Sequence, residues 1–300
     1  MNIALITITY NDLFKFEEWV KYYEGYKDEI GLHIIVDNGS DKEYLDCLKR
    51  TFRNSFIIER ATNGGTTAAY NDGIRHALED KNIDAIMLLG NDIKLKNGAI
   101  KILYDYLYSD EKLGMVAPIL LKKDTNYIES FGISMNWIDS TSMNNRHQVL
   151  DDNIKKEMFV DYVPGGISLS KREFYENIGF QDEKLFMYGD ERDICYRSRK
   201  FCYLQGVTSK SIAWHQHISS PYMGERLNSN YLIGRNFVYI GLKNRGGAFV
   251  FVSTFFLFIK RTLLFLRDIS AKEQRFNYFQ FCRGIKNGLL NNMNNNDLWY

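Results

Sequence analysis

The chain opens with a repeated pattern: a short apolar run, a polar loop carrying Asn or Asp, then a stretch with apolar residues at helical spacing. IALITIT (3–9) runs into Tyr10-Asn11-Asp12, after which Phe16, Trp19, Val20 and Tyr23 recur as one face of a helix. LHIIVDNGSD (32–41) is a second buried-type strand that ends in a polar turn, and FII (56–58) is a third, ending near Asn63-Gly64-Gly65. A small-residue helix follows through Ala68, Ala69, Ile74 and Ala77, and DAIMLLGNDI (84–93) supplies a fourth strand. Strand, polar loop and helix in repetition predict a parallel sheet in an α/β layer structure. Ligands bind such sheets beyond the carboxyl ends of the strands, so the loops are expected to hold the site.

From about 115 to 170 the pieces shorten. MVAPILL, a strand near Ile128 to Ile133, and Phe159 to Leu169 across Pro164-Gly165-Gly166 predict a mixed-sheet, acceptor-side half, closed by VTSKSIAWHQHISS (207–220). The most hydrophobic part is AFVFVSTFFLFIKRTLLFL (248–266). Its uninterrupted portion before Lys260-Arg261 is about 12 residues, short of the ~20 that a spanning helix needs. A Phe-rich surface flanked by Lys and Arg fits a helix lying in a membrane interface over 245–270, with a buried helix or an oligomer contact as the plain alternative.

Charge sharpens this division. The formal net charge is only +1, yet residues 221–300 hold eleven Lys/Arg against four Asp/Glu. The expected organisation is an acidic body over 1–220, in two halves (1–95 and 96–220), and a basic, aromatic-rich helical region over 221–300. Cys47, Cys195, Cys202 and Cys282 show no CxxC spacing, so neither a zinc site nor a disulfide framework is expected. MNIALITITY enters a strand with no basic leader region, which points to a cytoplasmic protein. No nucleic-acid partner is expected.

Candidate chemistry sits in the loops. Asp37, at the end of VDNGSD, can accept a hydrogen bond from a pyrimidine ring N–H or a ribose hydroxyl, or it can serve as an Asx turn. NGGTTAAYNDGI (63–74) allows close approach of a diphosphate at a helix N-terminus, or close packing of that helix on the sheet. It fits neither GxGxxG nor GxxxxGK[ST]. Asp92 of LLGNDI can bind Mg²⁺ or Mn²⁺, and His215, with His217 as fallback, is a further candidate ligand. FMYGDERDICYR (186–197) packs Asp190, Glu191, Arg192 and Asp193 together and reads either as a solvated turn or as the acidic end of a cleft.

In this order, TYN (9–11), VDNGSD, NGGTTAAYNDGI, LLGNDI, the stretch from Val163 to Arg197 and WHQH (214–217), the motifs resemble inverting nucleotide-sugar glycosyltransferases of family 2, with the GT-A fold. NYLIGRNFVYIGLKN (230–244) and RGIKNGL (283–289) are similar to C-terminal patterns of bacterial rhamnosyltransferase-like members. The resemblance implies a GT-A fold, a central mostly parallel mixed sheet flanked by helices, with a C-terminal helical appendage. It implies Glu191 as base with Asp190 as the candidate if the loop is shifted by one, and Asp193 as a positioning acid that Arg197 pairs one turn on. Thr9, Tyr10, Asn11, Asp37, Asn63, Gly64, Asn71 and Asn91 are the implied nucleotide-sugar-binding residues, and Asp92 with His215 the implied metal ligands. Two departures stand out: Gly90 replaces the first acid or Asn of the family's metal motif, and Asp190-Glu191 replaces Glu-Asp.

The implied reaction moves a sugar from a nucleoside diphosphate, dTDP-rhamnose or a UDP-hexose, to a glycan or lipid-linked acceptor, with inversion. The expected setting is bacterial surface polysaccharide synthesis at the inner face of the plasma membrane, and the aromatic tail could also serve a homodimer. The competing readings are a sugar-nucleotide-binding subunit weakened at Gly90, and a nucleotidyltransferase, for which no G-x-G-T-R-x-x-P-x-T-like stretch is present.

Overall fold

The computed structural model describes residues 1–135, 141–216, 229–267, 272–295 and 298. The first half alternates β1 (Ile3–Thr9), α1 (Phe16–Glu24), β2 (Leu32–Asp37), α2 (Lys42–Thr51), β3 (Phe56–Glu59), α3 (Gly65–Glu79), β4 (Ala85–Leu89), β5 (Ile93–Leu95) and α4 (Ala99–Leu107). β3, β2, β1 and β4 lie side by side and parallel. β1 and β4 are buried nearly throughout because helices cover both sheet faces, which is why they read as continuous apolar runs rather than alternating ones. Asp41 caps α2 by accepting the Tyr44 N–H at 2.9 Å. α3 carries small residues on the side where it meets the sheet: any side chain at Gly73 would strike Ile6 of β1.

The second half adds β6 (Leu113–Lys122), β7 (Ile128–Ser130), β8 (Ile133–Met135), β9 (Thr141–Met143), β10 (Glu157–Val160), β11 (Ile167–Lys171), α5 (Arg172–Ile178), α6 (Asp190–Ser198) and β12 (Leu204–His215). The sheet continues from β4 through β11, β6 and β12 to β10, with β11 antiparallel to both neighbours and β12 parallel to β6. The stretch expected as one piece across Pro164-Gly165-Gly166 is therefore two strands, β10 at the sheet edge and β11 at its centre. β5 pairs antiparallel with the end of β12, Ile93 opposite His215, and this pairing carries the loop after β4 to the last residue of β12.

α7 (Ser229–Asn244), α8 (Gly247–Arg267) and α9 (Lys272–Leu289) follow. α7 and α9 approach closely because Gly234, Gly284 and Gly288 leave room for the facing backbone, and Phe281 and Ile285 pack with Phe237, Val238 and Val250. α8 buries Val250 and Ser253 but exposes most of its Phe and Leu side chains. Among the described residues it is the one helix long and apolar enough to cross a membrane by length and composition.

Candidate active site

The carboxyl ends of β1, β2 and β4 meet in one network. Asn91 donates to Asp12 at 2.7 Å and to Thr9 at 3.4 Å, and Thr9 also bonds the Tyr44 hydroxyl. Asn11, held at a φ of 49°, accepts the Asp41 N–H at 2.9 Å, while Tyr10 beside it is exposed. Thr9 and Asn91 are almost wholly buried, so they brace the loop rather than present a free surface. Asp37 is the exception. Its Oδ2 accepts the Ser40 N–H at 3.1 Å, but its Oδ1 is buried with no hydrogen-bond partner. Burial raises its pKa above the usual carboxylate value against the opposing Ser40 and Gly39 hydrogen bonds. An acceptor left in this state favours a ligand that brings a donor.

Asp92 and His215 come together, as the pairing of β5 with β12 requires. His215 Nε2 lies 3.5 Å from Asp92 Oδ2, and its Nδ1 lies 3.0 Å from Glu129 of β7. Burial works against charge on His215, but the hydrogen bonds to Asp92 and Glu129 prevail and raise its pKa to about 9. Burial likewise opposes the Asp92 carboxylate, yet His215 and Lys15 hold its pKa below the ordinary value. With Asp92 at Nε2 and Glu129 at Nδ1, the pair suits a divalent cation that displaces the proton held at Nε2, the rear carboxylate then fixing the ring. Among the described residues no cluster of three or more His, Cys, Asp or Glu that could hold a metal ion is present. His217 lies outside the described residues.

The other side of the site is built on Pro164-Gly165-Gly166. Gly90 N–H donates to Gly166 O at 2.8 Å, and a side chain at Gly90 would stand 3.1 Å from Asp92 Oδ1. One at Gly165 would stand 2.7 Å from Glu191 Oε1. A side chain at Gly165 would therefore push the Glu191 carboxylate from the place it holds against this turn. Burial, then the adjacent Asp190 carboxyl, raises the Glu191 pKa well above the usual range; Asp190 is also raised by burial. Asp190 is buried, whereas Glu191 lines a cavity of about 1070 Å³ with Tyr188, Gly189 and Arg192. Of the two acids, Glu191 is the one that faces open space.

Three expected residues have other work. The start of α3 does not offer a free anion site. Thr67 N–H, Thr66 Oγ1 and Thr67 Oγ1 all donate to the Phe186 carbonyl, Gly64 N–H donates to Asn38 and Gly65 N–H to Asn63. Gly65, at a φ of 80°, leaves the space that the Phe186 backbone fills. Asn63 and Gly64 therefore seat the loop before α6, and the close-packing reading of the Gly-rich stretch is the one the geometry supports. Asn71 is equally committed: it donates to Gln181 O and Glu183 Oε1 and accepts the Gln181 N–H, each at 2.9 Å.

Asp193 is fully buried, and its carboxylate takes hydrogen bonds from Arg197 at 2.9 Å and from Lys243 and Asn244 at 3.0 Å. The expected pairing with Arg197 is present, but a carboxylate so enclosed positions α6 and does not reach an acceptor hydroxyl.

α7 extends this grip. Asn236 Nδ2 donates to the carbonyls of Leu185, Met187 and Tyr188, and Arg235 Nη2 donates to those of Lys184 and Leu185. Sequence reading left out Asp12, Lys15, Glu129, Arg192 and this pair. Asp12 was legible only as a turn residue, and Arg235-Asn236 only as part of a C-terminal pattern.

The model of glycosyl transferase family 2 matches residues 8–179, more than half of the chain. The chain belongs to glycosyl transferase family 2. This family 2 transferase is 24% identical over 245 residues to the low-salt glycan biosynthesis hexosyltransferase Agl10 of Haloferax volcanii, covering 81% of this chain and 74% of Agl10. It is 25% identical over 197 residues to the dTDP-rhamnosyl transferase RfbF of Shigella flexneri, covering 65% of this chain and 62% of RfbF. Among solved structures it resembles the mannosyltransferase PcManGT of Pyrobaculum calidifontis, solved with GDP-Man and Mn²⁺, with a TM-score of 0.58 at 12% identity over 97% of this chain and 87% of that one. GalNAc-T7, solved with UDP, GalNAc and Mn²⁺, gives a TM-score of 0.62 at 14% identity, over 80% of this chain but just 47% of GalNAc-T7. These likenesses establish the GT-A fold, with a mixed sheet and a C-terminal helical part.

Proposed function

We propose that this family 2 transferase moves a sugar from dTDP-rhamnose or a UDP-hexose to a hydroxyl of a glycan or lipid-linked acceptor, with inversion, as a step in bacterial surface polysaccharide synthesis. The observation that carries this reading is Glu191, which lies against Gly165 and lines a large cavity, with Asp92 paired to His215 at the end of β12. Asp37, through its unpartnered oxygen, and the loop Tyr10-Asn11 receive the nucleoside, braced by Thr9 and Asn91. The acceptor hydroxyl enters from the cavity. Its oxygen forms the bond to the anomeric carbon as the bond from that carbon to the diphosphate oxygen breaks, its proton passes to Glu191, and the nucleoside diphosphate leaves with the electron pair. Asp92 and His215 are the residues that would hold Mg²⁺ or Mn²⁺, which supplies charge neutralisation at the diphosphate when bound. The catalytic body is 1–220, and the region 221–300 attaches it to the inner face of the membrane.

A panel of sugar nucleotides tested by thermal shift with and without Mn²⁺ identifies the donor, because a ligand that binds only the folded state raises Tm. Release of the nucleoside diphosphate from that donor then separates a transferase from a weakened binding subunit. Binding of a sugar nucleotide with no turnover on any acceptor or on water would overturn the enzymatic reading.

A further inference from the structure

The first turn of α6 is tied to its neighbours through one carboxylate. Asp193 N–H closes that turn on Gly189 O at 2.9 Å, with Glu191 between them. The Asp193 side chain is fully buried and meets Arg197, Lys243 and Asn244. Arg197 is engaged elsewhere as well: its Nη1 and Nη2 donate to the Ile178 and Phe180 carbonyls, each at 2.6 Å. Lys243, in the last turn of α7, bridges two acids. Its Nζ lies 2.7 Å from Asp182, in the loop after α5, and 3.0 Å from Asp193. Tyr239, one turn earlier on α7, donates to the same Asp182 oxygen at 2.8 Å. A buried carboxylate is stable only when its charge is paired, and Lys243 brings that charge to Asp193 from 50 residues further along the chain.

The charge on Asp193 reaches the base through Asp190. Burial, and then the Asp193 charge, raise the Asp190 pKa against local hydrogen bonds; burial, and then Asp190, do the same at Glu191. A cation beside Asp193 offsets its field and acts in the opposite sense. Resting on the transferase reading above, we infer that Lys243 is a positioning residue for the base: held between Asp182 and Asp193, it cancels the Asp193 charge two residues from Glu191 and so keeps Glu191 ready to take the acceptor's proton. The other groups around Glu191 act differently. The Pro164-Gly165-Gly166 turn brings no charge. Tyr70 of α3 and Tyr175 of α5 stay neutral because burial holds their hydroxyls above the ordinary value, and burial pushes the Cys195 thiol up to about 12. Arg192 lies against the Phe237 ring at 4.7 Å. It lines the open cavity with Tyr162, Tyr188 and the α8 cations Lys260, Arg261 and Arg267, and none of these is altered by a substitution at 243.

The test titrates Glu191 directly. The full chain is labelled with carboxyl-carbon-13 glutamate, and the Glu191 resonance is the one absent from Glu191→Gln. Lys243→Met should move its midpoint upward by about half a pH unit or more, as one added charge does near a buried carboxyl. Lys243→Arg keeps the charge and should stay at the wild-type midpoint. Adding Asp193→Asn to Lys243→Met leaves no charge to cancel and should bring the midpoint most of the way back. A purely structural part would lower Tm without this alternation. Turnover is followed as nucleoside diphosphate release from dTDP-rhamnose or UDP-glucose, whichever raises Tm. The acidic limb of its pH profile should move with the midpoint in K243M, with KM for the donor unchanged. Should K243M fail to fold, K243Q, which keeps a donor without the charge, takes its place. A wild-type midpoint in K243M, or a midpoint in K243R or in the double variant as high as in K243M, would each overturn the inference. Nucleoside diphosphate release with an unmoved midpoint removes the part given to Lys243 and leaves the transferase reading intact; a moved midpoint with no release from any sugar nucleotide does the reverse.

Discussion

Asn236 donates its side-chain amide to the Tyr188 carbonyl at 2.8 Å, and Tyr188 stands in the left-handed region at a φ of 69°. Phe186, two residues earlier, stands there too, at 64°. Non-glycine residues held so cost on the order of 1–3 kcal/mol each and persist only where their surroundings fix them. Here α7 does so, because the same amide also reaches Leu185 and Met187. The backbone leading into Glu191 is thus set by a residue 45 positions further along the chain. Asn236→Ala strips a donor from three carbonyls and should cost about 1–3 kcal/mol in stability. It should also lower kcat more than it raises KM for the donor, since the nucleotide loops are untouched. Asn236→Asp, of equal size but with no N–H, should behave alike. A lower Tm with unchanged kcat would restrict Asn236 to a purely stabilising part.

If Glu191 takes the acceptor proton, as proposed, Glu191→Gln should reduce transfer by about 10²–10⁴-fold while sugar-nucleotide binding, measured by thermal shift, stays as in wild type. Asp190→Asn removes the neighbour that helps raise Glu191 but leaves the cavity-facing acid in place, and should cost far less. The pH dependence has a defined sign. A base must be unprotonated to act, so the acidic limb of the rate profile should lie well above the usual Glu value of 4.5. For stability, a carboxyl whose folded-state pKa is raised binds more protons when folded, so its ionisation costs nothing below the ordinary pKa and weakens the fold as pH rises through the shifted value. Glu191→Gln should therefore melt above wild type at alkaline pH and level with it near pH 4. A wild-type advantage at alkaline pH would mean that Glu191 is ionised in a stabilising contact.

Asp92 and Glu129 act on His215 from opposite ends, and the two substitutions should differ. On the proposed reading Asp92→Asn removes one of two metal ligands, so Mn²⁺ should no longer tighten nucleotide binding in calorimetry. Glu129→Gln leaves both ligands but loosens the ring's orientation, and support of this kind is worth 10–100-fold in metal affinity. Nucleotide binding that is equally strong with and without Mn²⁺ in the wild type would remove Asp92 and His215 from this part.

The parallel half of the sheet was legible because strands buried on both faces leave unbroken apolar runs, as in β1 and β4, and each run ends where an Asn or Asp turns the chain. The acidic run at 190–193 was legible as a charge cluster, and the structure places Asp190 and Asp193 in the interior and Glu191 on a cavity. Glu129 left no such trace. It reaches His215 across 86 residues from a three-residue strand, and nothing local marks it. Asn63 and Gly64 were read from one small-residue signal that serves both anion binding and close helix packing, and the group that meets the α3 terminus is a backbone carbonyl, at Phe186, which no side chain announces. Asp193 looked available for the same kind of reason, since its partners Lys243 and Asn244 follow 50 and 51 residues later.

The exposed face of α8 provides the last test. Deleting everything beyond 245 would also strip α9 from α7, where Gly284 and Gly288 give the close approach, so a soluble product would not distinguish lost anchoring from lost folding. Phe251 and Phe255 avoid this, at 77% and 55% exposed. Burying a Phe in an apolar phase contributes about 1.5–3 kcal/mol, roughly 10–100-fold in partitioning. Phe251→Glu with Phe255→Glu should therefore abolish co-sedimentation with anionic liposomes, because the change both loses apolar area and adds like charge against the lipid. Tm should move little, since neither ring packs in the core. If the double variant sediments with liposomes as the wild type does, α8 does not lie in the interface, and its apolar face must be covered by something other than lipid.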